Sequence, residues 1–104
     1  FTSAPSVSIK KLLKRSKTKI NSIDLFEINE AFAMVPLLNM HILSIKRNKV
    51  NINGGAVSLG HPLGCSGARI LTTLIHCLHQ NNKTNGVASI CNGGGGASSI
   101  QIAI

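Results

Sequence analysis

Glycine is concentrated in two short segments of the chain, and these segments limit where regular structure can form. Residues 53–67 contain five glycines and a proline, and residues 93–96 are four consecutive glycines. Glycine loses more conformational freedom on folding than any other residue, so neither segment favours a helix or a strand. Loops of this kind carry function more often than the elements they connect. The chain is therefore expected to consist of short elements that present two glycine-rich loops.

Three segments carry apolar residues at helical spacing. Residues 4–15 predict a short basic helix with a proline in its first turn. Residues 30–45 predict a second helix, in which Pro36 removes a backbone donor and predicts a kink. The third helix is predicted from Ser66, a candidate N-cap, to Gln80. Phe26 and Phe32 are the aromatic residues expected to anchor the core, because the chain has no Trp or Tyr.

Four segments are rich in apolar and β-branched residues and are predicted as strands. They are residues 23–28, 50–52, 87–91 and 98–104. The last two flank the run of four glycines and are expected to form a hairpin. About four strands and three helices predict one α/β domain over residues 1–104, arranged in two layers.

The composition limits the classes of partner. The chain has 104 residues and a net charge of +8, with a cluster of basic residues from Lys10 to Lys19. Nucleic-acid binding is not expected, because no stacking aromatics or docking motif accompany these residues, which are interpreted as a solvated helix face. No apolar run approaches the roughly 20 residues of a membrane span. Since the first residue is Phe1, we expect an internal piece of a longer soluble protein, with a surface for a partner.

Cysteine usage favours a reducing compartment. Cys65, Cys77 and Cys91 are an odd set without disulfide-framework spacing. His76, Cys77 and His79 are close in sequence but do not have the spacing of a zinc site, so no metal is expected there.

Three polar residues stand in loops that follow predicted strands, where an open α/β sheet presents its ligand site. They are Asn29, His61 and Cys91. Each has a structural alternative, since Asn29 could cap a helix, His61 could be a loop histidine and Cys91 could be a buried thiol. The four glycines after Cys91 argue for function, because they allow backbone N–H groups to approach a ligand oxygen as in an oxyanion hole.

Three motifs in register resemble those of the thiolase family. The segment Asn51–Arg69 resembles the signature around the family's catalytic histidine, Asn29–Phe32 (Asn-Glu-Ala-Phe) resembles its second motif, and Cys91–Gly96 resembles its third. Their order and spacing agree with the family, and the similarity extends from about Ala4 to the last residue. The glycine motif after Cys91, together with Asn-Gly-Gly-Ala-Val-Ser at residues 53–58, is most similar to the motifs of mitochondrial-type acetoacetyl-CoA thiolases.

The resemblance implies a role for each matched residue. His61 would activate an acyl-accepting cysteine and then help to hold a thioester oxygen. Asn29 would hold a water in the same oxyanion hole. Cys91 would move the proton at the substrate α-carbon and at the CoA sulfur. The backbone N–H of Gly93 would contribute to a second oxyanion hole.

The resemblance also implies less specific contacts around His61. Gly60 and Pro62, on either side of the histidine, are expected to contact substrate. In some relatives a backbone carbonyl at the position of Val57 binds potassium, which makes that carbonyl one candidate ligand of a potassium site. No other cofactor is required, and the substrates are CoA thioesters.

The implied reaction is a reversible Claisen condensation of two acetyl-CoA molecules to acetoacetyl-CoA and CoA. None of the three cysteines has the sequence context of the family's acyl-accepting cysteine, so the chain is expected to be incomplete and inactive alone. Cys65 and Cys77 are interpreted as structural. The expected partners are an N-terminal thiolase half and further copies of the whole protein, in a homodimer or homotetramer.

Two other functions stay open. One is a longer-chain 3-ketoacyl-CoA thiolase, and the other is a noncatalytic interaction or nucleic-acid-binding domain on a truncated thiolase scaffold. The resemblance implies a mitochondrial location, with the cytoplasm and the peroxisome as alternatives.

Overall fold

A computed structural model describes all of residues 1–104 as helices and strands around one three-stranded sheet. The helices are α1 (Ala4–Arg15), α2 (Met34–Leu43), α3 (Ala56–Leu59) and α4 (Ser66–Gln80). The strands are β1 (Leu25–Ile28), β2 (Asn85–Cys91) and β3 (Ala97–Ala103). Single 3-10 turns lie at Ile20–Ser22 and Arg47–Lys49. No helix has the combined length and apolar character that crossing a membrane demands.

The sheet has the order β1-β2-β3, and its two pairings differ in direction. β1 and β2 are parallel, with Ile28 opposite Ser89. β2 and β3 form the predicted antiparallel hairpin, with Cys91 opposite Ala97. Because β1 and β2 run in the same direction, the residues that follow both strands emerge at one edge of the sheet. Asn29 and Cys91 are therefore brought to the same edge.

Both faces of the sheet are covered by helices. Phe26 and Val87 face a cluster formed with α1 and α2, whereas Leu25 and Ala88 face a cluster formed with α4. All four residues of β1 are buried, as expected for a strand of a sheet covered on both faces. The predicted α/β class is confirmed. The sequence predicted two layers, but the helices pack on both faces because β1 buries alternate residues on opposite sides.

The second helix is shorter than predicted. Residues 30–33 lie outside α2, so Pro36 lies in its first turn, where a backbone N–H has no intrahelical acceptor. The reason for the predicted kink is thereby removed. Phe26 is fully buried, as predicted, but the prediction for Phe32 is wrong, since this side chain is 61% exposed. Phe32 precedes the helix, so the helical periodicity that placed it in the core does not apply.

The predicted strand at residues 50–52 is reduced to a single bridge between Val50 and Phe26. Extension stops there because Asn51 has a left-handed backbone with a φ of 47°. The glycine-rich segment, in turn, contains one regular element that was not predicted, the single turn α3. The fold consequently has three strands and four helices rather than four and three.

Candidate active site

Asn29 stands at the end of β1 on a backbone that another side chain holds in place. The Asn51 side chain accepts a hydrogen bond from the Ile28 N–H at 2.9 Å and donates one to the Ile28 carbonyl at 2.8 Å. The left-handed backbone of Asn51 prevents a strand from continuing beside Ile28. The two bonds from the Asn51 side chain take the place of the backbone bonds that such a strand would make with Ile28. On the other side, the Asn29 N–H donates to the Ser89 carbonyl at 2.9 Å. The side chain of Asn29 leaves the sheet at a fixed point and is 1% exposed.

The glycine-rich loop is attached to this edge through Glu30. One carboxylate oxygen of Glu30 accepts a hydrogen bond from the Val57 N–H at 2.8 Å, and the other accepts one from the Asn51 amide at 3.3 Å. Gly55 allows this approach, because a Cβ at that position would lie 2.7 Å from the Glu30 carboxyl carbon. Glu30 was not identified from the sequence as a site residue. Its role depends on a contact across 27 residues of chain that the motif does not reveal.

His61 is held by Ser66 through one ring nitrogen. His61 Nδ1 lies 2.6 Å from Ser66 Oγ, and Ser66 Oγ donates to the Pro62 carbonyl at 3.1 Å. Because the single hydroxyl proton of Ser66 is used by Pro62, Ser66 accepts the proton of Nδ1. The prediction that Ser66 caps α4 is wrong, since Cys65 is the N-cap and no side chain bonds there. The Ser66 hydroxyl bonds to His61 and Pro62 instead.

Asn29 contacts the other ring nitrogen of the same histidine. Asn29 Nδ2 lies 3.4 Å from His61 Nε2, and Asn29 Oδ1 accepts a hydrogen bond from Arg69 Nη2 at 3.4 Å. Every donor in this row faces an acceptor when His61 is neutral and carries its proton on Nδ1. In that tautomer Nε2 has a lone pair, which is what a general base needs. Asn29 does not cap α2, because that helix begins at Met34.

Cys91 and His61 line one cavity of about 700 Å³. Phe32, Leu63 and Gly93 are also among its lining residues, so the exposed phenyl ring of Phe32 borders this cavity. Asn29 lies behind His61 and is not part of the lining. The cavity places the imidazole, the thiol and a glycine amide around one space that is large enough for a small acyl group.

The four glycines after Cys91 do not all offer free amides. Asn92 Oδ1 accepts hydrogen bonds from the N–H groups of Gly94 at 3.0 Å and Gly96 at 3.2 Å. The N–H of Gly95 donates to the Asn92 carbonyl at 3.2 Å. The N–H of Gly93 has no acceptor within the chain. Of these four glycines, only Gly93 has an N–H that is free to donate to a ligand. Gly93 is also the glycine to which the thiolase resemblance assigns a role in an oxyanion hole.

A buried ion pair lies behind the site. Arg69 Nη1 is 3.7 Å from Glu27 Oε2, and the Glu27 side chain is 2% exposed. Burial raises the pKa of Glu27 to about 7, Arg69 opposes that rise and Glu30 adds to it. Neither Glu27 nor Arg69 was identified from the sequence. An acidic residue inside an otherwise apolar strand was the available signal for Glu27.

The remaining predicted residues lie around the cavity rather than in it. Gly60, with a φ of 93°, ends α3, and Pro62 supplies the carbonyl that holds Ser66. Neither residue is among those that line the cavity, so their predicted contact with substrate stays a prediction. The Val57 carbonyl accepts no hydrogen bond within the chain, and its predicted contact with potassium stays a prediction. No group of three or more His, Cys, Asp or Glu side chains lies together.

The two other cysteines differ in burial. Cys77 packs in the α4 cluster and is 1% exposed, as expected for a structural residue. Burial raises the pKa of its thiol. Cys65 is exposed in the histidine loop, so it contributes nothing to core packing.

The sequence matches a known family along its whole length. The family described as "Thiolase, C-terminal domain" matches residues 1–104. This chain belongs to the thiolase family. Similar curated proteins include the acetyl-CoA acetyltransferase of Saccharomyces cerevisiae, which is 58% identical over 103 residues. The probable acetyl-CoA acetyltransferase of Dictyostelium discoideum is 55% identical over 102 residues, and acetyl-CoA acetyltransferase 2 of Arabidopsis thaliana is 54% identical over 102 residues.

Solved thiolase structures have the same fold. The acetyl-CoA acetyltransferase of Bacillus anthracis superposes with a TM-score of 0.95 at 43% identity, and the Acat5 thiolase of Ascaris suum, in complex with coenzyme A, with a TM-score of 0.92 at 51% identity. Each comparison covers 98% of this chain and 26% of the solved chain. This thiolase chain spans 26% of the Saccharomyces cerevisiae relative. The part of a thiolase that carries the acyl-accepting cysteine is therefore not in this chain.

Proposed function

We propose that this chain supplies the histidine, the second cysteine and part of both oxyanion holes for the reversible condensation of two acetyl-CoA molecules. The row of hydrogen bonds Arg69–Asn29–His61–Ser66 is the observation that carries the proposal, because it gives His61 Nε2 a lone pair beside the cavity that holds Cys91. The curated relatives named above are acetyl-CoA acetyltransferases, which favours acetyl groups over longer acyl chains.

In the first half-reaction, His61 acts as the base. Its Nε2 takes the proton of the acyl-accepting cysteine, whose thiolate attacks the thioester carbonyl of acetyl-CoA. The bond from the acyl carbon to the CoA sulfur breaks, and Cys91 gives its proton to the leaving sulfur. The N–H of Gly93 stabilises the oxyanion that forms on the acyl group.

In the second half-reaction, Cys91 acts as the base. Its thiolate takes a proton from the α-carbon of a second acetyl-CoA, and the enolate oxygen is held by protonated His61 and by a water bonded to Asn29. The carbanion attacks the acyl-cysteine, so a carbon–carbon bond forms and the cysteine thiolate leaves. His61 then returns its proton to that thiolate, which restores both groups.

Several parts of this proposal depend on segments outside the chain. The acyl-accepting cysteine, most of the CoA-binding surface and a homodimeric or homotetrameric assembly belong to a whole thiolase. A potassium ion at the Val57 carbonyl would need its other ligands from those segments. We also propose a mitochondrial location, with the cytoplasm and the peroxisome as alternatives, on the resemblance of the glycine motif after Cys91 and of residues 53–58 alone.

A chimera tests the proposal. This chain replaces the corresponding segment of the Saccharomyces cerevisiae acetyl-CoA acetyltransferase, with which it shares 58% identity over 103 residues. We expect the chimera to cleave acetoacetyl-CoA with CoA, and the chain alone to show no turnover. The His61→Asn chimera is the matched control and should be inactive. A folded chimera without turnover would refute the proposed function, and turnover by the chain alone would refute the requirement for an acyl-accepting cysteine from outside this chain.

A further inference from the structure

The ion pair behind Asn29 is almost closed off from solvent and poorly satisfied. The Glu27 and Arg69 side chains are 2% and 16% exposed. Glu27 Oε2, Arg69 Nε and Arg69 Nη1 have no hydrogen-bond partner within the chain. The remaining guanidinium nitrogen, Nη2, donates to Asn29 Oδ1 at 3.4 Å. The guanidinium of Arg69 therefore makes one hydrogen bond within the chain, and that bond leads to the active site.

Stability does not explain why the pair is there. Burial raises the pKa of Glu27 to about 7 even though Arg69 opposes the rise. The charged and polar groups near Glu27 are Arg69, Glu30 and the Cys77 thiol, and of these only Arg69 favours the carboxylate. Buried ion pairs can often be replaced by apolar residues with no loss of stability. The contact that Arg69 makes with Asn29 therefore indicates a functional role for the pair.

The contact of Arg69 with Asn29 determines which end of the amide faces His61. An asparagine amide has a donor end and an acceptor end of nearly equal shape, so a half-turn about its last bond exchanges them. A guanidinium has donors only, and in the exchanged orientation two donor groups would face each other in a buried space. Arg69 therefore keeps Oδ1 on its own side and Nδ2 toward His61.

The orientation of that amide in turn selects the tautomer of His61. With Nδ2 toward the ring, Nε2 must accept and the proton must be on Nδ1, where Ser66 Oγ accepts it. With Oδ1 toward the ring, Nε2 would carry the proton and Ser66 would donate to Nδ1. The second arrangement also satisfies both ring nitrogens of His61, but it takes the Ser66 proton away from the Pro62 carbonyl. The Asn29 amide and the Ser66–Pro62 hydrogen bond therefore favour the same tautomer.

We infer that Arg69, held by Glu27, is a positioning residue that fixes the Asn29 amide and thereby keeps His61 in the tautomer whose Nε2 carries a lone pair and whose Nδ1 carries the proton. This inference rests on the proposed function, since a base at Nε2 is what the first half-reaction needs. Neither residue touches the substrate in this account. Arg69 acts through Asn29, and Glu27 acts through Arg69.

The tautomer is measurable without substrate by ¹⁵N NMR of the full chain at pH 8 with labelled histidine. His41, His76 and His79 are the other histidines, and the His61→Gln variant identifies the His61 signals. We expect the unsubstituted chain to show a protonated Nδ1 and an unprotonated Nε2. In the Arg69→Met variant, the ratio of Nε2–H to Nδ1–H forms should rise at least about five-fold, the effect of losing roughly one hydrogen bond. Arg15→Met, an exposed arginine on α1, should leave the ratio unchanged.

Three further variants make the result decisive. Asn29→Asp presents only acceptor oxygens to the ring and should protonate Nε2, which checks the readout. Glu27→Gln should shift the ratio in the same direction as Arg69→Met, and an unchanged ratio would remove Glu27 from the device. If Arg69→Met does not fold, the double variant Glu27→Gln/Arg69→Met removes both charges together and should give the same shift.

An unchanged tautomer ratio in a folded Arg69→Met chain, or in the double variant, would overturn the inference. The proposed function would survive that result, because the chimera assay does not depend on how the tautomer is fixed. A chimera without turnover, combined with the expected NMR shift, would overturn the function and leave the role of Arg69 in place.

Discussion

Replacing Cys91 with alanine in the chimera is expected to lower the rate of condensation by about 10³-fold or more, within the range that one general acid–base group contributes. The reason is that no other thiol lines the cavity, so no group remains to take the α-proton of the second acetyl-CoA. The acyl-accepting cysteine should still become acetylated, because His61 activates it and CoA is a good leaving group. The variant is therefore expected to accumulate acetyl-enzyme.

The two half-reactions are separated by measuring acetylation of the protein by mass spectrometry and condensation by acetoacetyl-CoA formation. Cys65→Ala is the matched control, since this exposed cysteine has no part in the proposed chemistry and should leave both rates near those of the unsubstituted chimera. Normal condensation by Cys91→Ala would remove Cys91 from its proposed role. Loss of acetylation together with condensation would show that the first half-reaction cannot proceed without the proton that Cys91 gives to the leaving CoA sulfur.

The stability of the chain is expected to fall as the pH rises from 5 to 8, because of Glu27. Its pKa is about 7 in the folded chain against 4.5 for an ordinary glutamate, so between these values the folded state binds the extra proton. A state that binds more protons is stabilised at low pH, and this stabilisation is lost as the pH rises through the folded pKa. A difference of this size corresponds to ~3 kcal/mol in the free energy of unfolding.

Urea unfolding at pH 5 and pH 8 measures the effect, with Glu27→Gln as the comparison. Glutamine does not titrate, so the variant should lose this part of the pH dependence and be more stable than the unsubstituted chain at pH 8. The lowered pKa of Asp24 does not interfere, since its contribution is lost only as the pH falls below the range measured. Equal pH dependence of the two proteins would show that Glu27 is ionised in the folded chain already at pH 5.

Much of the fold and the choice of candidate site residues could be predicted because their signals are local. Hydrophobic spacing gave α1, α4 and the hairpin close to their observed bounds. Asn29, His61 and Cys91 could be chosen as candidates because Asn29 directly follows a predicted strand, His61 lies in a glycine-rich loop and Cys91 ends a predicted strand just before four glycines. The parallel pairing of β1 and β2 then explains why loops far apart in sequence meet.

The residues that support the site were not predictable, because their roles depend on contacts across long stretches of chain. Arg69 reaches Asn29 across 40 residues, and the Asn51 side chain reaches Ile28 across 23. No local sequence pattern indicates that the Asn51 side chain bonds to Ile28 in place of a neighbouring strand. Nor does any pattern indicate that the Glu30 carboxylate bonds to the glycine-rich loop. Phe32 was assigned to the core because helical spacing was extended to residues that precede the helix.

We propose that an amide, an imidazole and a thiol from three separate segments of the chain act on one thioester. A crystal structure of the Cys91→Ala chimera with acetyl-CoA bound tests it most directly, since this variant cannot complete condensation. We expect the acetyl group in the cavity, with the thioester oxygen within hydrogen-bond distance of His61 Nε2 and the α-carbon facing residue 91. An acetyl group bound in the chimera beyond the reach of both residues would contradict it.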